Sequence, residues 1–117
     1  MGLKIKPDPT FQRNLMAFGW ECEKGWHPII QELIDKLVKI EDCDFELLQV
    51  KEKFGSLRFY VSSETHEVSD LIEDYETYSA HICEVCGEFY TAKTRNKKNG
   101  SWLKTLCDKC AEEFGYE

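Results

Sequence analysis

Cys83-Glu84-Val85-Cys86-Gly87, answered by Cys107-Asp108-Lys109-Cys110, is the pair of segments that decides the C-terminal fold. Each CxxC turn can place two thiolates on one ion, and 20 residues separate the two turns. That spacing points to one Zn²⁺ held tetrahedrally by Cys83, Cys86, Cys107 and Cys110. Four thiolates complete the shell and leave no position for water, so the metal is expected to be structural. Gly87 suits the tight backbone of a knuckle, because it takes positive φ without steric cost. Phe89-Tyr90-Thr91 and Trp102-Leu103-Lys104-Thr105-Leu106 read as short strands, with turn chemistry at Asn96-Lys97-Lys98-Asn99-Gly100 between them. Residues 83–117 are thus expected to form a zinc ribbon or knuckle, packed on a helix and hairpin unit spanning 1–82. Disulfides are the competing use of these cysteines, favoured only in an oxidising compartment.

Upstream of the cysteines the pattern alternates between helix and hairpin. Asp8-Pro9 opens a helix, with Phe11, Leu15 and Phe18 on one stripe and Gly19 at its end. Phe18-Gly19-Trp20-Glu21-Cys22-Glu23-Lys24-Gly25-Trp26 follows, a loop with two tryptophans. Trp20 and Trp26 either plug the core or wall a binding loop. Pro28 starts a second helix, ending near Ile40, with Ile30, Leu33, Ile34, Leu37 and Val38 inward. Phe45 to Ser62 reads as a hairpin turning at Gly55, with Leu48, Val50, Phe54, Leu57, Phe59 and Val61 on the core face. Its other face carries Gln49, Lys51, Lys53, Arg58, Tyr60 and Ser62, a cationic surface able to meet phosphate or carboxylate. A solvated strand face is the plainer alternative. Ser63 or Thr65 caps a third helix, whose apolar face is Val68, Leu71, Ile72, Tyr75, Tyr78 and Ile82. Ala111 to Tyr116 is expected as a short final turn. The fold class is therefore α+β, with helices around a hairpin and a C-terminal zinc ribbon.

The 117 residues carry a net charge of −7, unevenly spread. Glu64 to Glu84 contains seven acids and no Lys or Arg, an acidic helix face. Thr91 to Lys104 contains Lys93, Arg95, Lys97, Lys98 and Lys104 with no acid, a basic finger with Trp102 beside it. The overall charge argues against nucleic-acid binding by the whole surface, but not by this finger. No stretch approaches the length of a membrane span, and the first residues lack an apolar signal core. These features point to a cytoplasmic protein with reduced thiols, without a membrane partner.

No catalytic constellation assembles. His27 precedes a helix, His66 lies in a first helical turn, and His81 stands two residues before Cys83 as a neighbour or substitute ligand. Cys22 with His27 is a weak nucleophile pairing, and Cys43 sits among acids as an incidental thiol.

Three segments together carry a resemblance. They are Phe18-Gly19-Trp20-Glu21-Cys22 with Gly25-Trp26-His27-Pro28; Val50-Lys51-Glu52-Lys53-Phe54-Gly55-Ser56-Leu57-Arg58-Phe59-Tyr60; and Cys83 to Gly87 with Gly100 to Cys107. Their order is similar to that in a family of small bacteriophage and prophage proteins without an assigned activity. The resemblance spans Phe11 to Cys110. It implies a small accessory protein, acting in a bacterial cytoplasm by binding and blocking a host protein, such as a defence component. The expected contact residues are Lys51, Lys53, Arg58 and Tyr60 with Trp20 and Trp26. Two other readings stay open. One is a nucleic-acid-binding ribbon through Lys93, Arg95, Lys97, Lys98 and Trp102. The other is a nucleotide sponge, in which hairpin cations hold phosphates and a tryptophan stacks on the base.

Overall fold

A computed structural model describes residues 20–40, 47–62 and 65–117. The expected first helix over 8–19, together with Cys43, Phe45 and Ser63, lies outside them. A 3-10 turn, Lys24–Trp26, runs into helix α1, His27–Leu37. Pro28 sits in the first turn of α1, where its missing N–H removes no helical bond. Ile30, Leu33, Ile34 and Leu37 are buried as expected, whereas Val38 lies past the helix end and is exposed.

Strands β1 (Leu47–Lys53) and β2 (Ser56–Val61) form the antiparallel hairpin. The expected inward set is corrected at two positions. Leu48 is the extra residue of a bulge between Leu47 and Gln49, so Leu47 and Val50 face the core and Leu48 faces out. Phe54 is not a strand residue. Phe54 and Gly55 take φ of 55° and 83°, the two central positions of a type I′ turn. This turn matches the twist of the strands, and it projects Phe54 into solvent. Glu52 accepts a hydrogen bond from the Gly55 N–H, at 2.7 Å, which steadies the turn.

Both edges of this hairpin are occupied. Glu21 lies parallel beside β1, donating its N–H to Val50 and accepting from Glu52, each at 2.9 Å. Helix α2, His66–Ser79, covers the β2 edge. The Leu57 N–H donates to Ser79 Oγ and the Phe59 N–H to a Glu76 carboxylate oxygen, at 3.0 and 2.9 Å. An exposed edge is thereby closed by side chains rather than by another strand. Thr65 is the cap of α2, its hydroxyl accepting from the Val68 N–H. Val68, Ile72 and Tyr75 are buried beneath it, while Tyr78 turns outward and Ile82 lies beyond the helix end.

The first strand of the second hairpin lies later in the chain than expected. Strands β3 (Lys93–Asn96) and β4 (Leu103–Leu106) pair antiparallel, and Phe89 and Tyr90 sit in an exposed loop rather than a strand. The chain then forms helix α3, Asp108–Phe114, where only a turn was expected. Gly115 ends it at φ 79°, in the left-handed region that glycine adopts freely. The core has two parts, one beneath the first hairpin and one of Cys83, Leu106, Cys107, Cys110, Ala111 and Tyr116.

Candidate metal centre

The four cysteine sulfurs lie within 4.8 Å of one another, and Cys86 Sγ is 3.6 Å from Cys107 Sγ. Tetrahedral zinc with Zn–S bonds of about 2.3 Å would separate its sulfurs by about 3.8 Å. The donor set and spacing therefore fit one structural zinc ion. Cys83 and Cys86 come from a knuckle closed by two backbone bonds, Gly87 N–H to Cys83 O at 2.9 Å and Cys83 N–H to Glu88 O at 2.8 Å. Gly87 has φ 85°, as its place in the knuckle requires. Cys107 is the residue capping α3, and its sulfur accepts from the Cys110 N–H. Burial raises the Cys83 thiol pKa, but backbone donors at Cys86 and Cys107 outweigh it and bring it down to about 7. Burial drives the Cys110 thiol upward. His81 is exposed and stands outside the four-sulfur group.

The loop between the knuckle and β3 is braced from within. Both N–H groups of Tyr90 and Thr91 and the Thr91 hydroxyl donate to Glu88. These bonds, led by that of the Thr91 side chain, hold the Glu88 carboxyl below its usual range. Thr91 Oγ1 accepts in turn from the Asp108 N–H at 2.9 Å. Arg95 completes the brace. Its guanidinium donates to Leu106 O, Thr91 O and Asp108 Oδ1, at 2.8, 3.0 and 2.7 Å. Arg95 is only 8% exposed, so it leaves the expected nucleic-acid set and belongs to the frame of the metal site.

Glu84 is the site residue that sequence reasoning missed. It closes the acidic run of the sequence, but it is 1% exposed. Its backbone accepts from the Gly25 N–H at 2.7 Å and donates to Thr105 O at 2.9 Å. Its carboxylate accepts from the Glu23 N–H and from Lys104 Nζ, each at 3.1 Å. Lys104 is pushed down by burial, but the Glu84 carboxylate overrides this and raises its pKa. Nothing in the sequence marked it, since Asp108 and Lys109 also stand between two ligands and are exposed.

The tryptophan loop is the other half of this joint. Trp26 is fully buried and donates Nε1–H to Ile82 O at 2.8 Å, so it is core and presents no surface to a partner or a base. Trp20 is half-buried, its ring edge-on to His27 at 5.1 Å. Gly25 packs so tightly that an added Cβ would lie 2.2 Å from Cys83 O. Gly55, at the tip of the first hairpin, accepts from Thr105 Oγ1. The tryptophan loop, the turn of the first hairpin and the stretch from the knuckle to β4 therefore meet at one place. Cys22, beside this joint, has its thiol pushed up to about 12 by burial and then by Glu84, which suppresses nucleophilicity at neutral pH.

No family model, curated protein or solved structure matches this chain. Among the described residues no helix is long and apolar enough to cross a membrane.

The remaining predicted residues stay at the surface. Lys51 stands opposite Arg58 in the hairpin register, with Lys51 Nζ 5.8 Å from the Tyr60 ring centroid. Lys53 Nζ lies 5.6 Å from the Phe54 ring, so the turn adds an aromatic to this face. Arg58 Nε is buried without a hydrogen-bond partner among the described residues. Lys93, Lys97, Lys98 and Trp102 are exposed on the ribbon.

Proposed function

We propose that this chain acts by stoichiometric binding, and that its partner is a bacterial host protein which it blocks. The zinc, the buried Glu84 and the tryptophan loop would make the scaffold. The contact surface would be the outward face of the β1–β2 hairpin. Arg58 carries this reading. It stands directly opposite Lys51 in the hairpin register, so two cations share this face. A carboxylate on a partner would meet them in charge-assisted bonds. Lys51 and Lys53 flank it, and Tyr60 and Phe54, 40% and 68% exposed, provide the large aromatic area typical of interface anchors. Trp26 is replaced by Phe54 in this surface. The family resemblance supplies the context of a small phage-derived accessory protein in a bacterial cytoplasm, and counter-defence is the role such a blocker would serve.

Native mass spectrometry of the tagged chain recovered from bacterial lysate tests the reading. The expected spectrum contains one zinc and one host protein in fixed ratio. Arg58→Glu and Lys51→Glu should each release the partner while leaving zinc content and circular dichroism unchanged. Retention of the partner by both variants would remove the hairpin face from the account.

A further inference from the structure

The ribbon presents a second surface, separate from the hairpin face. Five cations lie in the stretch from Lys93 to Lys104, and the fold sorts them. Arg95 is spent on Asp108 and two carbonyls, and Lys104 on Glu84. Lys93, Lys97 and Lys98 remain exposed and enter none of the ion pairs found among the described residues. Lys97 donates its N–H to Trp102 O at 2.9 Å, which extends the β3–β4 register by one pair. Trp102 therefore stands directly across from Lys97, with its indole 64% exposed. By the alternation of a strand, Lys93 lies on the same side of the ribbon, about 13 Å along it, with the buried Arg95 between the two lysines.

We infer that this ribbon face binds a short tract of single-stranded nucleic acid. The indole would stack on one base, and Lys93, Lys97 and Lys98 would meet the phosphates on either side. Charge complementarity selects a polyanion. The exposed indole selects one with flat π-faces, since stacking on an aromatic is how sequence-tolerant single-strand binders hold bases. A duplex keeps its bases stacked internally and offers none to Trp102. An acidic peptide satisfies the lysines but not the ring.

The test is fluorescence anisotropy of a labelled oligothymidylate of about ten nucleotides, a tract of ordinary binding-site size, titrated with the zinc-loaded full chain. Saturable binding is expected, with quenching of tryptophan emission, because Trp26 is buried and Trp102 is the most exposed indole of the described residues. Trp102→Ala should weaken binding at least about fivefold, and Trp102→Phe should retain most of it. Lys97→Glu with Lys98→Glu should abolish it. Raising salt from about 50 to about 200 mM should cost about twentyfold, the dependence for three neutralised phosphates on a single strand. Arg58→Glu should leave it unchanged, which separates this site from the hairpin face. Zinc content and circular dichroism establish that each variant is folded. The inference is overturned by absence of binding at low salt or by an unchanged affinity in Trp102→Ala. Equal affinity for a duplex or for polyglutamate would overturn it as well.

Discussion

Replacing Gly25 by alanine tests whether the tryptophan loop and the zinc knuckle are one mechanical joint. A Cβ at Gly25 would sit 2.2 Å from Cys83 O, 2.4 Å from Glu84 O and 2.5 Å from Glu84 C, all of them backbone atoms that cannot rotate away. Gly25 is not among the positive-φ glycines, so contact rather than φ strain is the issue. Ordinary packing needs about 1 Å more separation than this. Either the loop or the knuckle must move by that amount. The movement stretches the 2.7 Å bond from Gly25 N–H to Glu84 O. Losing one buried hydrogen bond costs about 1 kcal/mol or more, and overpacking of this kind costs about 1–3 kcal/mol. Alanine also stiffens the unfolded chain, which returns about 0.4–1 kcal/mol. The net expectation is about 1–4 kcal/mol of lost stability, a large share of the margin of a small protein. Urea denaturation of the zinc-loaded protein, followed by tryptophan emission, measures it. Zinc competition with a chromophoric chelator should show weaker metal binding, since the displaced atoms include the Cys83 carbonyl. A loss under about 0.5 kcal/mol, inside the ordinary surface range, with unchanged zinc affinity, would refute the joint.

Two further outcomes follow from the same geometry. Glu84→Gln keeps an acceptor for the Glu23 N–H but removes the charge facing Lys104, and it should cost about 1–2 kcal/mol because Lys104 is only partly buried. The folded-state pKa of Lys104 is raised above 10.5, so this pair's contribution is fully present below the unfolded value. It disappears as pH rises through the folded one. Urea midpoints of the native protein and Glu84→Gln should therefore converge as pH rises through the folded-state pKa of Lys104; a constant gap between neutral and strongly alkaline pH would contradict the pairing. Removing zinc with a strong chelator should unfold the second core, whose buried residues include three of the four cysteines. Proteolysis should then begin within 83–117, and retention of native protection there would show that the metal is dispensable.

The cysteine spacing by itself determined the metal and its four ligands, because ligand chemistry is local: two CxxC turns need only be brought together. Helices α1 and α2, the Thr65 cap and the turn at Gly55 were legible for the same reason, since period, capping and turn chemistry depend on neighbours in sequence. What sequence could not decide was direction. Leu48 and Phe54 fit an alternating pattern, yet a bulge and a type I′ turn face both outward. Arg95 and Glu84 read as members of charged surface runs, yet Arg95 turns into the ribbon to satisfy Thr91 O and Leu106 O, and Glu84 turns to the Glu23 N–H of the other unit. Sequence leaves Trp26 open between core and ligand, and its indole N–H to Ile82 O bond in the assembled chain places it in the core. Burial is a property of the assembled chain, and a charged side chain at a joint obeys its distant partners, Asp108 for Arg95 and Lys104 for Glu84, more than its neighbours in sequence.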